Sequence, residues 1–157
     1  MTDDRIFVLE FVAVQLVVVA AMIHVVVGVL GWSSWFEAGI PLRAGARYPL
    51  LIVSGIVLLG GIAYAHTREN RRPFYAAGTL LMAGYVVGYY LWHLLGHREF
   101  ILFGEQRAAN ETVSVQWFLD HLLAGPAELG AIVVEVAAIL VFAALLYVTR
   151  ADSPTDS

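Results

Sequence analysis

The residues of this sequence that could do chemistry are histidines and carboxylates set inside apolar stretches. His24 lies in an uncharged run over residues 11–36, His93 lies near the end of a second run that begins at Phe74, and Glu135 interrupts a third. Imidazole binds haem iron and divalent metals, whereas an ionisable group in an apolar environment is costly unless it has a partner or a task. These positions therefore predict sites that hold a cofactor, a metal ion or a proton.

A polar stripe runs along the stretch over residues 74–97. Tyr85, Tyr89, His93 and His97 follow one another at four-residue steps, so a helix places them along one side. Such a stripe is compatible with bundle packing and with a site for a quinone or pigment.

The same stretch carries a second row, made of small residues. Gly84 and Gly88 have the small-xxx-small spacing that lets another membrane helix approach closely. This row predicts a helix-docking edge.

The heights of the histidines can be compared because a helix rises about 1.5 Å per residue. His24 lies roughly 27 Å beyond Ile6, and His93 lies roughly 28 Å beyond Phe74. Two facing helices would therefore bring the two imidazoles to a common level.

This match predicts a haem b with His24 and His93 as axial ligands. A divalent metal is the second possibility, with ligands drawn from His93, His97, His121 and Glu128. The alternative places His93 and His97 among the lipid headgroups. His24 is then a neutral imidazole hydrogen-bonded to a tyrosine of the stripe, either Tyr85 or Tyr89.

Glu135 lies deep in the last apolar stretch, about 13 Å beyond Pro126. An ionised carboxylate at that depth is expensive, so the group is expected to be protonated or paired. It is a candidate proton or ion site. The alternative is an interhelical hydrogen bond, for which the sequence offers Gln15, Ser54 and Tyr64.

The composition sets the class of protein. The chain has 157 residues, 60% of them hydrophobic and 14% charged, with a mean hydropathy of +0.76, which is too apolar for an ordinary soluble domain. The absence of cysteine excludes disulfides, thiolate nucleophiles and Cys-ligated metal sites. The net charge of −4 disfavours nucleic-acid binding.

The apolar stretches predict an all-α fold, an integral membrane antiparallel four-helix bundle that forms a single domain over residues 1–149. A short amphipathic helix at 113–124 is expected on the membrane surface between the third and fourth spans, and residues 150–157 are expected to be a disordered polar tail. The four spans are expected at 6–32, 48–66, 74–97 and 127–148.

Arginine placement predicts the orientation. The compact cluster of Arg68, Arg71 and Arg72 favours a cytoplasmic turn, which places both termini in the cytoplasm and the chain in the cell membrane. Asn110 begins an Asn-Glu-Thr glycosylation sequon that would then lie outside.

Short motifs are spread over residues 20–148: IHVVVG from Ile23, a Pro-containing loop, a Gly-rich second span, Arg71-Arg72 with Tyr75 and Gly78, and Trp92. In these motifs the chain resembles small four-span proteins encoded in haloarchaeal genomes. The resemblance implies four helices in an archaeal cell membrane and supplies no activity. The long loop with His97, His121 and the Gly125-Pro126 break departs from that pattern.

Three functions are compatible with these features. The first is a non-enzymatic accessory subunit that binds other membrane helices, or a second copy of itself, through Gly84, Gly88 and the Gly-rich second span. The second is a haem- or metal-binding redox protein, and the third is a small oligomeric proton-coupled carrier with Glu135 at its centre. Enzyme chemistry finds little support, because there is no nucleophile elbow, no phosphate-binding glycine loop and no HExxH motif.

Overall fold

The computed structural model describes residues 2–39, 47–94 and 115–150. Within these ranges the chain is all-helical and contains no strand, as the sequence predicts. The helices are α1 (Thr2–Glu37), α2 (Arg47–His66), α3 (Arg72–Leu94), α4 (Val115–Ala124) and α5 (Pro126–Val148).

Four of these helices, α1, α2, α3 and α5, are long and apolar enough to cross a membrane. The prediction of four helices that are long and apolar enough to span a membrane is confirmed. The predicted spans 6–32, 48–66 and 127–148 lie inside α1, α2 and α5. The span predicted at 74–97 coincides with α3 up to Leu94, and its last three residues lie outside the described residues.

Helix α1 continues beyond the span that the sequence predicts to end at Trp32. No proline interrupts it, and it ends shortly before Gly39, whose φ of 64° lies in the left-handed region that glycine adopts readily. The N–H of Gly39 donates to the carbonyl of Phe36 and closes the last turn. Trp32, Trp35 and Phe36 are therefore part of the helix itself.

Helix α5 begins at the predicted break. Gly125 is extended and Pro126 occupies the first turn, where its missing N–H costs nothing. The helix ends at Val148 and is capped by Thr149, whose backbone N–H and hydroxyl both donate to the carbonyl of Leu145. The short helix α4 precedes it and packs against α5, with Leu119 and Leu123 exposed on one of its faces.

The long helices pack in a defined set of pairs. Helix α1 packs against α2 and α5, and α3 packs against α5. The buried core consists mainly of small or flexible residues of α1, α3 and α5, with one leucine from α2. Its members are Ala13, Val17, Ala20, Ala21, Leu58, Tyr75, Met82, Ala138, Phe142 and Leu145.

Two glycines allow α1 and α2 to approach closely. A Cβ at Gly28 would lie 2.7 Å from the Cγ1 of Ile52, and one at Gly55 would lie 2.8 Å from the carbonyl oxygen of Ala21. By contrast, Gly60 and Gly61, which also belong to the Gly-rich second span, have no such neighbour within 4 Å among the described residues.

We expect Gly55→Ala to destabilise the fold, because the added methyl would overlap backbone of α1. Overpacking of this kind costs about 1–3 kcal/mol. Gly60→Ala is the matched control on the same helix, and it is expected to leave stability unchanged or slightly raised because alanine favours helix. Titration with a denaturing detergent, followed by circular dichroism, measures both. Equal midpoints for the two variants would contradict the close approach.

Candidate functional site

A hydrogen-bonded group of polar side chains lies among the long helices. The Nδ1 of His24 is 2.8 Å from the Oγ of Ser54, and its Nε2 is 3.1 Å from the Oε1 of Glu135. His24 is only 5% exposed and Glu135 only 3% exposed. Because buried polar groups are costly without partners, this mutual pairing is what allows both residues to lie there.

Tyr85 completes the group. Its ring meets the imidazole of His24 edge to face, with the ring centroids 4.6 Å apart and an interplanar angle of 80°. Its hydroxyl lies near Ser54 and the Glu135 carboxyl. Helices α1, α2, α3 and α5 therefore each contribute one residue to what we call the polar cluster, which consists of His24, Ser54, Tyr85 and Glu135.

Helical periodicity turns the two ionisable residues inward. On α5, Glu135 shares its buried stripe with Ala138, Phe142 and Leu145, at spacings of three, four and three residues. On α1, His24 continues the buried stripe of Val17, Ala20 and Ala21. Both polar residues therefore occupy core positions of their helices.

Ser54 is placed by its neighbour. Gly55 brings α2 so close to α1 that a Cβ would meet Val25 and Ala21, and this short interhelical distance allows the small Ser54 side chain to reach His24. The serine hydroxyl also lies 2.9 Å from the carbonyl of Leu51, to which it donates.

Two sets of proton positions satisfy these contacts, because the roles of the ring nitrogens depend on the tautomer of His24. If the Ser54 hydroxyl donates to Leu51, it accepts from the Nδ1–H of His24, and one proton is shared between the Nε2 and the Glu135 carboxyl. If the hydroxyl instead turns its hydrogen to the Nδ1, the Nε2–H donates to the Glu135 carboxylate. In both sets a hydrogen lies between the Nε2 of His24 and the Oε1 of Glu135.

What the geometry offers is a place that holds a proton between Glu135 and His24.

The sequence points to His24, Tyr85 and Glu135 but does not pair Glu135 with His24. The partners predicted for the histidine are Tyr85 or Tyr89, and the structure gives the hydrogen bonds to Ser54 and Glu135 instead. The sequence does hold a usable signal in the heights, since Glu135 lies about 13 Å from Pro126 and His24 lies about 12 Å from Trp32, where the first span is predicted to end.

The other candidate ligands are only partly described. His93 and His121 lie in α3 and α4, but their side chains, like His97 and Asn110, fall outside the described part of the structure. Glu128 lies in the first turn of α5 and is exposed. Tyr89, next on the stripe, is half-buried.

Haem b or a divalent metal stays a prediction. Iron ligation needs a free imidazole nitrogen, and both ring nitrogens of His24 are engaged here, so a haem would have to displace Ser54 or Glu135. Among the described residues, no three His, Cys, Asp or Glu side chains are grouped as metal ligands.

A second polar contact lies near the start of α1 and α3. The Nη1 of Arg71 is 2.6 Å from the Oε2 of Glu10, and the hydroxyl of Tyr75 donates to the other carboxylate oxygen. Arg71 is one of the arginines that predict the orientation. The contact with Glu10 shows that this arginine also ties the start of α3 to α1.

We expect His24→Ala to cost about 3–5 kcal/mol of folding stability, because it leaves the buried Glu135 carboxyl without its partner. Glu135→Ala should cost about 1–3 kcal/mol, while Glu135→Gln, which keeps the size and a donor toward the Nε2, should cost less. Glu128→Ala, on the exposed face of the same helix, is the matched control. The midpoint of detergent-induced unfolding ranks the stability of the four variants. A midpoint for His24→Ala equal to that of Glu128→Ala would contradict the proposed stabilising role of the polar cluster.

The comparisons with known proteins leave the function to be argued from this geometry. No protein-family model matches the chain, and no curated protein or solved structure was found to match it.

Proposed function

We propose that this chain is an integral membrane protein whose polar cluster binds and releases a proton, as the proton site of a small carrier. The observation that carries the proposal is the Glu135–His24 pair, which is less than a tenth exposed and lies inside helices apolar enough to span a bilayer. Intramembrane ionisable groups mark proton and ion pathways in membrane proteins.

The proposed architecture is an antiparallel bundle of α1, α2, α3 and α5. Two contacts support an antiparallel arrangement of α1 and α2. Gly28 lies against Ile52 and the earlier residue Ala21 lies against the later residue Gly55, so the two chains run in opposite directions. Between α3 and α5, Tyr75 stacks on Phe142 with centroids 6.4 Å apart. One end of the bundle then holds Arg47 and Pro126, and the other holds Glu10, Arg71 and Val148; we call them the Arg47 end and the Arg71 end.

The outer surface of the long helices supports a lipid environment. Large apolar side chains are exposed along all four, among them Phe11, Val57, Leu80 and Leu140, which are 56–74% exposed. A soluble monomer rarely exposes apolar patches of this extent. Acyl chains would cover these side chains without cost.

The chemistry of the cluster fits a proton better than other ions. A metal cation would need several oxygen or nitrogen ligands, whereas the Glu135 Oε1 and the His24 Nε2 already face each other across 3.1 Å. That bond has room for one hydrogen. Proton uptake or release would change the charge of the pair by one unit, and this change is what could drive the helices that meet there to rearrange.

We place the protein in the cell membrane with both termini in the cytoplasm, supported by the arginines of the Arg71 end. Arg68 and Arg72 accompany Arg71 in the short turn between α2 and α3. Four helices leave little internal space for a substrate, so the carrier is proposed to act as an oligomer.

Reconstituted vesicles test the proposal. With a pH gradient imposed, the wild-type chain should move protons, as reported by a trapped pH-sensitive dye, and Glu135→Gln should abolish the signal because its amide cannot exchange a proton. Glu128→Gln, which removes an equal charge from the exposed face of α5, should retain it. Equal flux in wild type and Glu135→Gln would remove the residue from any such mechanism.

A second candidate, an accessory subunit that binds membrane helices, is favoured by one observation. A Cβ at Gly84 or Gly88 would meet nothing within 4 Å among the described residues, so this predicted docking edge faces outward from α3. The partner proposed is another membrane helix, including one from a second copy of the chain.

Substitution on this edge separates the two candidates. Gly84→Leu should weaken self-association if the edge is an interface, because close helix contact needs a small residue there. Ala143→Leu, at an exposed position of α5, is the control. Energy transfer between labelled copies in bilayers gives the readout, and identical association of both variants would argue against the docking role.

A further inference from the structure

The two sides of the polar cluster are packed very differently. From the cluster toward the Arg71 end, the core is continuous: Ala21, Met82, Ala138 and Leu145 are 0% exposed, and Ala20 is 1% exposed. Toward the Arg47 end, Gly28 and Trp35 are the only buried residues in the described parts of the long helices. The polar cluster therefore lies at the edge of the buried core and not at the centre of that core.

A second barrier follows on the tightly packed side. Beyond the apolar layer, the carboxylate of Glu10 accepts hydrogen bonds from Arg71 and Tyr75 and ties α1 to the start of α3. Tyr75 is itself 7% exposed and stacks on Phe142. A proton or a water molecule moving from the Arg71 end would have to cross both an ion-pair layer and a dry apolar layer.

The path from the Arg47 end is shorter as well as looser. Ser54 lies about 10 Å from the start of α2, and Glu135 lies about 13 Å from the start of α5. Because the outer faces of the long helices meet lipid, only the α5 face that carries Glu135 bears on access to water, and on it Glu128 is exposed and Ile132 is half-buried. Ala131, one turn from Glu135 on the same side of the helix, is half-buried, whereas Ala138, one turn the other way, is fully buried.

We infer that the polar cluster exchanges its proton with water at the Arg47 end alone in this conformation, and that the Met82, Ala138 and Leu145 layer closes it toward the Arg71 end. This inference rests on the proposed proton site and gives that site a direction. The structure then describes a conformation that is open to one side only. Release of the proton at the Arg71 end requires the layer of Met82, Ala138 and Leu145 to open.

The chain contains no cysteine, so single cysteines report access without background. Ala131→Cys and Ala138→Cys form a matched pair, since both replace alanine on α5 one turn from Glu135. In bilayer nanodiscs both membrane faces meet the reagent. We expect a charged, membrane-impermeant thiol reagent to label Ala131→Cys at least about tenfold faster than Ala138→Cys, because a buried site reacts only through local opening.

Denaturing detergent should make both cysteines react fully, which verifies that each thiol is present. If the larger side chain at position 138 perturbs the fold, Met82→Cys serves as the second reporter of the closed layer, because it puts a smaller side chain at a fully buried site. Equal labelling on the two sides, or faster labelling at position 138 or 82 in folded protein, would overturn the inference.

The labelling experiment tests the one-sided access, and the proton-flux experiment tests the carrier, so either proposal can be rejected without the other. Asymmetric labelling with no flux that depends on Glu135 would keep the one-sided access and reject the carrier. Flux that depends on Glu135 with symmetric labelling would keep the carrier and reject the one-sided access.

Discussion

The hydrogen bond between Glu135 and His24 is the constraint on which the rest of this structure depends. Its partners are 111 residues apart, belong to α1 and α5, and are both almost fully buried. In a low-dielectric interior neither group is tolerable alone, so a rotation or a shift that separates them is penalised. The pair thereby fixes the rotation of both helices and their relative height, which packing of alanine and valine alone would leave poorly defined.

The pair also explains why so much of the surrounding core is small. Alanines at positions 20, 21 and 138 keep α1 and α5 close, and Gly55 brings α2 within reach of the imidazole. Replacing a buried ionic pair by apolar residues of similar volume is often neutral or stabilising. Stability therefore does not by itself require a carboxyl and an imidazole at this place, and their value lies in the register that they specify or in the proton that they hold.

The sequence predicts the helices better than it predicts their contacts. Length and apolar composition identify the long helices, since a span leaves an unbroken signal along the chain. The heights of His24 and Glu135 could also be estimated from helical rise. The sequence holds no comparable local signal for which face of a helix packs against its neighbour. Gly55 and Gly60 look alike in the sequence, yet of these two only Gly55 touches α1.

For the same reason, the sequence does not show which polar residues pair with one another across the helices. Glu135 had several polar residues at compatible depth, and Gln15, one of those considered, is exposed. The stripe of Ala20, Ala21 and His24 places the histidine on the buried side of α1, but which helix covers that side depends on the packing order of the bundle. The contact between Glu10 and Arg71 escaped notice because each residue, at a helix end, is unremarkable by itself.

The two carboxyl groups that pair between helices, Glu10 and Glu135, differ in a way that suits them to different tasks. Glu10 faces a guanidinium that stays protonated, and 22% of its side chain is exposed, so its charge is compensated whether or not protons are exchanged nearby. Glu135 faces an imidazole, a group that can accept and release a proton. A permanent ion pair suits a link between helices, while a carboxyl–imidazole pair suits proton exchange. The Glu10–Arg71 ion pair lies on the closed side of the polar cluster, where it can resist opening of the bundle when the charge of the Glu135–His24 pair changes.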